Sequence, residues 1–159
     1  MESFTFFWMG PLSQWYRKNF VVSNITFNTA EQYMMYKKAE LFNDTDTMQK
    51  ILNESHPKKQ KELGREVTNF DKIIWENNCK KFVYDGNYAK FSQNVELKKY
   101  ITELPGTLVE ASPEDVIWGI GMSENNVDCF DRTKWKGKNW LGEILTQVKE
   151  TLIKEIKNN

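Results

Sequence analysis

The stretch WLGEILTQVKETLIKEI, from Trp140 to Ile156, decides the fold class of this chain. Its apolar residues recur at helical spacing while the opposite face is charged, which predicts a long amphipathic helix packed on a core. Asn139 lies just before it and is expected to cap it. Outward from this helix, the sequence predicts five more, over Ala30–Phe42, Met48–Leu52, Pro57–Gly64, Asp71–Phe91 and Val95–Leu104.

Aromatic and β-branched residues mark the few predicted strands. Phe4–Trp8 and Phe20–Phe27 are interrupted or followed by Gly-Pro and Ser-Asn pairs, which favours short strands or a hairpin. Leu108 and Val109 predict a short buried strand, and a second apolar run covers 116–120. The expected fold class is therefore α+β, predominantly helical: a single compact domain over 1–159 with short N-terminal strands and a long C-terminal helix.

Composition limits the kinds of function. The 159 residues carry 22 basic and 22 acidic side chains, so no net charge draws the chain to nucleic acid or an acidic membrane. No signal peptide or membrane span is recognisable, so we expect a soluble, cytoplasmic protein. Cys79 and Cys129 are expected to be buried thiols, and a lone His56 excludes a histidine-rich zinc site. No metal or cofactor is required by any pattern.

Two carboxylates lie in the segment LVEASPEDVIWGIG, Leu108–Gly121. Glu110 follows the apolar pair Leu108-Val109, and Asp115 precedes the apolar run that begins at Val116. An apolar wall beside a carboxylate can shift its pKa to a value that suits general acid or base chemistry. The structural alternative is that Glu110 pairs with a cation and Asp115 caps a turn. The sequence leaves both interpretations open.

A second constellation lies in AEQYMMYKKA, Ala30–Ala39, on the helix that Thr29 and Gln32 open as a capping box. Lys38 follows Glu31 by seven residues, which puts both within about 20° on one helix face and ~10 Å apart along the axis. Facing a cleft, the pair is a candidate acid and nucleophile or an anion clamp. Facing water, Glu31 only complements the helix dipole and the stripe is solvated.

Several segments together resemble one family. They are TAEQYMMYKKA at 29–39, Gly64-Arg65, Trp75, AKFSQN at 89–94, LVEASPEDVIWGIG at 108–121 and GKNWLGEIL at 137–145. In this order and at this spacing, the chain resembles the YbiA-like or NADAR (NAD and ADP-ribose) family, and the resemblance runs nearly end to end. It implies a mainly helical N-glycosidase. Some members hydrolyse phosphorylated ribosylamino-pyrimidine intermediates of riboflavin synthesis, and others are similar to hydrolases that remove ADP-ribose, including from guanine bases.

The chemistry that this resemblance implies gives roles to particular residues. Cleavage of a ribose C1′–N bond passes through an oxocarbenium-like state, and Glu31 and Asp115 fit the two carboxylate roles, with the acid unassigned. A different route uses a lysine amine to form a ring-opened imine. Lys38 is the better candidate for it and Lys90 the second, although Lys90 also suits a phosphate contact.

Substrate binding needs a flat surface and a cation. Trp118 and Trp75 are candidates to stack on a base, with core packing the alternative for Trp75. Arg65 suits phosphate, with a surface salt bridge as its alternative. The remaining binding candidates are Glu110, expected to orient a lysine or a ribose hydroxyl, Asn139, expected to cap its helix and contact ribose, and Gly119 of the WGIG segment.

Two local patterns conflict with the predicted elements. Asp85-Gly86-Asn87 normally marks a turn, so either the long helix breaks there or tertiary packing overrides the local preference. The run Ser123–Thr133 separates the WGIG segment from the last helix and is predicted to be a loop over the site.

Three functions therefore stand side by side. The first is an N-glycosidase that hydrolyses the C1′–N bond of a phosphorylated ribosylamino-pyrimidine, and the second is an ADP-ribosyl hydrolase acting on guanine bases or nucleotides. The third is a non-catalytic NAD or ADP-ribose binding module. The expected partner is a small phosphoribosyl or ADP-ribosyl molecule; nucleic acid is expected only as an ADP-ribosylated substrate and no membrane is expected. The sequence leaves the oligomeric state open.

Overall fold

The computed structural model describes residues 2–159 and has the predicted α+β, predominantly helical architecture. Six α-helices are present in this range: α1 (Ala30–Leu41), α2 (Thr45–Asn53), α3 (Pro57–Arg65), α4 (Lys72–Gln93), α5 (Val95–Glu103) and α6 (Trp140–Lys157). The four strands are β1 (Phe4–Phe7), β2 (Phe20–Val22), β3 (Ile25–Phe27) and β4 (Thr107–Glu110). Each predicted helix is found, with ends shifted by three residues at most.

Contacts divide the chain into two units. The inserted unit is Gln14–Asn94, and the terminal unit is formed by the residues up to Ser13 together with Val95–Asn159. The prediction of one domain over 1–159 stays a prediction. None of the helices within residues 2–159 combines the length and apolar character that a membrane span requires.

In the inserted unit, α1 packs against α2, α3 and α4. Thr29 caps α1 as predicted, because its Oγ1 accepts the Gln32 amide at 2.9 Å. Strands β2 and β3 form an antiparallel hairpin whose turn residues Ser23 and Asn24 have φ of 51° and 65°, a left-handed conformation that suits the twist of a two-residue hairpin. The fully buried rings of Phe20 and Phe27 stack at 5.8 Å and fix this hairpin in the core.

Helix α4 continues through Asp85-Gly86-Asn87, so tertiary packing overrides the local turn preference. The reason is the close approach of α1: a Cβ on Gly86 would lie 2.7 Å from Cδ2 of the buried Tyr33. Glycine lets the two helices pack at this point, and the packing outweighs its low helix propensity.

In the terminal unit, β1 pairs with β4 in parallel, with Phe4 opposite Thr107 and Phe7 opposite Glu110. Helix α6 packs on β4, and α5 packs on α6. Buried Val109, Ile120, Met122 and Cys129 form a core cluster here. Cys79 and Cys129 are buried free thiols, as predicted.

Two expectations for the terminal unit need correction, and a third is refined. Asn139 occupies the cap position of α6 but makes no side-chain cap; its backbone is left-handed (φ 53°) and its side chain points to β4. The apolar run at 116–120 is a turn in which Val116 and Ile117 are exposed. The segment 123–133 is irregular apart from short 3-10 helices at Val127–Phe130 and Arg132–Lys134, and its position over the site stays a prediction.

Candidate active site

Helix α1 positions Glu31 and Lys38 in the inserted unit. Glu31 is in the first turn with 5% of its surface exposed, and Lys38 is half-buried near the last turn. Burial lowers the pKa of Lys38 from its usual 10.5, and the charge of Arg65 lowers it further, while the charge of Glu31 opposes both. Glu31, Lys38 and Arg65 therefore form one electrostatic set, and the lysine is easier to deprotonate than a surface lysine.

Two aromatic rings hold the Lys38 amine. Its Nζ lies 4.7 Å from the ring centroid of Phe70 and 5.6 Å from that of Trp75. Trp75 is half-buried and also packs against Phe82, with ring centroids 6.1 Å apart. Its contact with Phe82 fits the core-packing alternative, and its contact with Lys38 fits a position in the site. Phe70 was not predicted; the available signal was an aromatic residue directly before the cap residue Asp71.

Arg65 is the last residue of α3 and is exposed. No ion pair to Arg65 occurs within residues 2–159, so the surface salt bridge expected as its alternative is absent from the described structure. Gly64 before it lies against Met35 of α1, so closely that a Cβ would displace the Met35 side chain. This contact brings the end of α3, and with it Arg65, to the α1 face that carries Lys38.

Lys90 has different surroundings. Its side chain is fully buried on α4, and its Nζ lies 5.5 Å from the Tyr16 ring centroid and 4.8 Å from that of Phe91. Burial lowers the pKa of Lys90 to about 7. Burial thus favours the neutral amine over the charged one, and the side chain of Lys90 has no surface open to a ligand.

The start of α1 is fixed by a hydrogen-bonded chain that the sequence did not predict. The Glu31 amide donates to the Gln14 carbonyl at 3.0 Å. The Asn87 Nδ2 group donates to Gln14 Oε1 at 2.7 Å and to the Val83 carbonyl at 2.9 Å. Because Asn87 is fully buried on α4, Gln14 ties the backbone of Glu31 to that helix.

In the terminal unit, Asp115 organises the turn that follows β4. Its Oδ1 accepts the amides of Ile117 at 2.9 Å and Trp118 at 2.8 Å. The turn-capping interpretation is thus observed, and any chemistry would use the other carboxylate oxygen, Oδ2, which makes no hydrogen bond within residues 2–159.

Glu110 and Gly119 meet across this turn. A Cβ on Gly119 would lie 2.9 Å from the Glu110 carbonyl oxygen and 3.0 Å from Glu110 Oε2. Glycine at 119 therefore allows the Glu110 carboxylate to lie against the turn that Asp115 caps. The Ile120 amide also donates to the Glu110 carbonyl at 2.9 Å, which closes the segment on the end of β4.

Asn139 acts on the same segment through its side chain. Its Oδ1 accepts the Glu110 amide at 2.9 Å, and its Nδ2 donates to the Leu108 carbonyl at 3.1 Å. The residue is fully buried and both polar groups bond backbone, so the expectation of a ribose contact is corrected: Asn139 positions Glu110. Trp118 is half-buried and packs edge to face against Trp140, with ring centroids 5.6 Å apart.

The predicted site residues therefore form two groups. In the inserted unit, the charges of Glu31 and Arg65 act on Lys38, and the ring of Trp75 contacts its amine. Lys90 of the same unit lies beside Tyr16 and Phe91 instead. The terminal unit brings together Glu110, Asp115, Trp118, Gly119 and Asn139. Within residues 2–159, no cluster of three or more His, Cys, Asp or Glu side chains could hold a metal ion.

Comparison with known proteins gives one domain family over most of the chain. The NADAR domain model matches residues 6–153. Protein irg-1 of Caenorhabditis elegans is 42% identical over 140 residues, which are 85% of this chain and 66% of irg-1. N-glycosidase R617 of Acanthamoeba polyphaga mimivirus is 42% identical over 144 residues, 87% of this chain and 85% of R617.

A solved structure has the same fold. The NMR structure of the E. coli protein YbiA superposes with a TM-score of 0.80 at 25% identity, covering 99% of this chain and 89% of that one. The relatives named N-glycosidase indicate that the chain is a glycosyl hydrolase of the N-glycosidase type. By the extent of the domain match and the identity to its relatives, the chain belongs to the NADAR domain family.

Proposed function

We propose that the chain hydrolyses the C1′–N bond of a phosphorylated ribosylamino-pyrimidine. The observation that carries the proposal is the electrostatic set on α1 and α3, in which a half-buried Lys38 with a lowered pKa is coupled to the buried Glu31 and to Arg65. A carboxylate, an amine and a guanidinium are the groups that a phosphoribosyl substrate needs at C1′ and at its phosphate.

In the carboxylate route, the C1′–N bond breaks and its electron pair goes to the base nitrogen, which takes a proton. Glu31 stabilises the positive charge that develops at C1′, and water adds to C1′ with loss of its proton. The products are the free aminopyrimidine and ribose 5-phosphate. Within the terminal unit, Asp115 is a separate candidate carboxylate, through Oδ2, because Oδ1 already binds two backbone amides.

In the lysine route, the neutral Lys38 amine attacks C1′, the base leaves with a proton, and the sugar ring opens as a C1′ imine on the lysine. Water then hydrolyses the imine, which releases ribose 5-phosphate and returns the amine. The lowered pKa of Lys38 supports this route, and Lys90, whose pKa is about 7, is the second candidate.

The other predicted residues serve binding or positioning in this proposal. Arg65 is exposed and takes the phosphate, while the ring of Trp75 adds apolar surface beside the Lys38 amine. Glu110 would orient a ribose hydroxyl, with Gly119 and Asn139 holding its position through the contacts described above.

One observation favours the ADP-ribosyl hydrolase as the second candidate. Helix α3 exposes Lys58, Lys59 and Lys61 in addition to Arg65, and none of the three lysines has an ion pair within residues 2–159. Such a row of cations suits the phosphates of a nucleic acid that carries ADP-ribose on guanine. A binding module without catalysis is the third candidate.

The test is product release, followed by mass spectrometry, from phosphorylated ribosylamino-pyrimidines and from DNA carrying ADP-ribosylated guanine. Release of the free pyrimidine alone supports the proposal, and release of ADP-ribose alone replaces it with the second candidate. If neither is cleaved and ADP-ribose still binds, the chain is a binding module. Lys37→Met is a matched control for Lys38→Met, since Lys37 instead pairs with Glu40 at the surface.

A further inference from the structure

We propose that Phe70 is the platform on which the base of the substrate stacks, an inference that rests on the proposed role of Lys38 and adds a residue that neither the sequence motifs nor the comparisons indicate. Phe70 lies in the short connection between α3 and α4, directly before the cap residue Asp71. Its side chain is 45% exposed. A large exposed aromatic ring beside a reactive amine is a candidate contact for a flat ligand.

The ring is held from within the inserted unit. Phe42, which is 7% exposed, lies 5.5 Å from Phe70 between centroids with an interplanar angle of 62°, an edge-to-face contact. The Lys38 Nζ lies 4.7 Å from the Phe70 centroid, closer than to the Trp75 centroid at 5.6 Å. Phe70 therefore has a fixed orientation while nearly half of its surface stays open to a ligand.

The position relative to Lys38 identifies what would bind. In the substrate class proposed above, the base is joined to C1′ through a single nitrogen. If Lys38 acts at C1′, the base bonded to C1′ must lie next to the lysine amine. Of the two rings that contact this amine, Phe70 is the more exposed. The matching ligand is a planar heterocycle, since aromatic stacking tolerates any base with a π face.

The two tryptophans predicted for this task are less suited to it. Trp75 is half-buried, lies further from the Lys38 amine and packs on Phe82. Trp118 is half-buried with Trp140 against its ring. Both tryptophans are half-buried, so a smaller fraction of each side chain is open to a ligand than at Phe70.

The kinetic test compares Phe70→Leu, which keeps apolar volume but removes the π face, with Phe70→Trp, which keeps the face. Ile73→Ala is the matched control, because Ile73 is 71% exposed on the first turn of α4. We expect Phe70→Leu to raise KM for the ribosylamino-pyrimidine about tenfold, or about 1.4 kcal/mol, with a smaller change in kcat. Phe70→Trp and Ile73→Ala should stay close to the wild type.

Inhibition by ribose 5-phosphate, which has no base, separates stacking from a structural effect. Its inhibition constant should be the same for wild type and Phe70→Leu. An unchanged KM in Phe70→Leu, or an equal rise in KM and in this inhibition constant, would overturn the proposal.

A titration with the free aminopyrimidine, the leaving base, separates this inference from the proposed function because it needs no turnover. If the wild type binds the base and Phe70→Leu binds it about tenfold more weakly, the platform stands even when no substrate is cleaved. If both bind equally, or neither binds, the platform is wrong whatever the enzyme hydrolyses.

Discussion

At the scale of single residues, the protonation of the Lys38 amine depends on burial, on two neighbouring charges and on two aromatic rings. Burial and the charge of Arg65 lower its pKa, while the charge of Glu31 raises it. Phe70 and Trp75 contribute ring faces that favour the charged form through cation–π attraction. A nucleophilic amine must be neutral when it attacks, so the balance of these influences sets the pH range in which the lysine route operates.

Replacing Arg65 with Gln tests this balance. Arg65 lowers the pKa of Lys38, so its removal should raise that pKa and move the rise of kcat with pH to higher pH. In the wild type the rise should be centred below the usual lysine value of 10.5. The measurement is the pH profile of kcat at saturating substrate, which separates the shift from weaker phosphate binding.

Lys61→Gln is the matched control, because it removes an exposed positive charge from the same helix α3, and Lys61 is not one of the charges that shift the pKa of Lys38. Identical profiles for the Arg65 and Lys61 variants would contradict the electrostatic role of Arg65.

At the scale of elements, helix α4 shows what local sequence can and cannot predict. Its extent was predictable from apolar spacing and from Asp71, which caps it by accepting the Ile74 amide at 3.0 Å. Its continuity through Gly86 was not, because it depends on contact with Tyr33, a residue more than fifty positions away. The same contrast holds at α6, where Asn139 was read as a cap and instead bonds β4.

Gly86→Ala should destabilise the protein by about 1–3 kcal/mol, because the added methyl group would overlap the buried Tyr33 ring. In an exposed helix the same change would stabilise by about 1 kcal/mol. Urea unfolding measures the difference, with Asn77→Ala on the exposed face of α4 as the control. A Gly86→Ala variant more stable than the wild type would show that α1 and α4 do not approach as described.

Asn139→Gly isolates the link between α6 and β4. Glycine accepts the left-handed backbone at 139, so the variant loses only the two hydrogen bonds to Glu110 and Leu108. We expect a loss of about 1–3 kcal/mol in unfolding free energy for the buried groups left without partners, and slower turnover because Glu110 is less well held. Thr146→Ala, which removes a side-chain hydrogen bond to the Leu108 amide, is a control for loosening β4 away from Glu110. Equal turnover in the wild type and Asn139→Gly would show that Asn139 does not position Glu110 for catalysis.

At the scale of the whole molecule, the contacts that could be predicted from the sequence are those between residues of one segment. Glu31 and Lys38 share a helix, so their coupling followed from spacing alone, and the Thr29 cap followed from its motif. Phe70 over Lys38, and the Gln14 link to Asn87, join separate elements. Those contacts arise from tertiary packing, which no single-segment pattern encodes.

The zero formal charge of the chain leads to a prediction about salt. Turnover of a small phosphoribosyl substrate should change only a few-fold between about 50 mM and about 200 mM NaCl, since few phosphates are contacted. A nucleic-acid substrate held by the cations of α3 should lose far more affinity over the same range. The measurement is kcat/KM against salt for the wild type and for Lys58→Glu with Lys61→Glu, and a steep loss on the small substrate would contradict the proposed binding mode.

The most direct test of the central claim, that Glu31 supports cleavage of the C1′–N bond, is single-turnover release of the free pyrimidine from the ribosylamino-pyrimidine by wild type and Glu31→Gln. We expect Glu31→Gln to bind the substrate with similar affinity but to release the base at least about a hundredfold more slowly, the size of effect that a positioned acid–base or charge-stabilising group supplies. Release at the wild-type rate by a folded Glu31→Gln would contradict it.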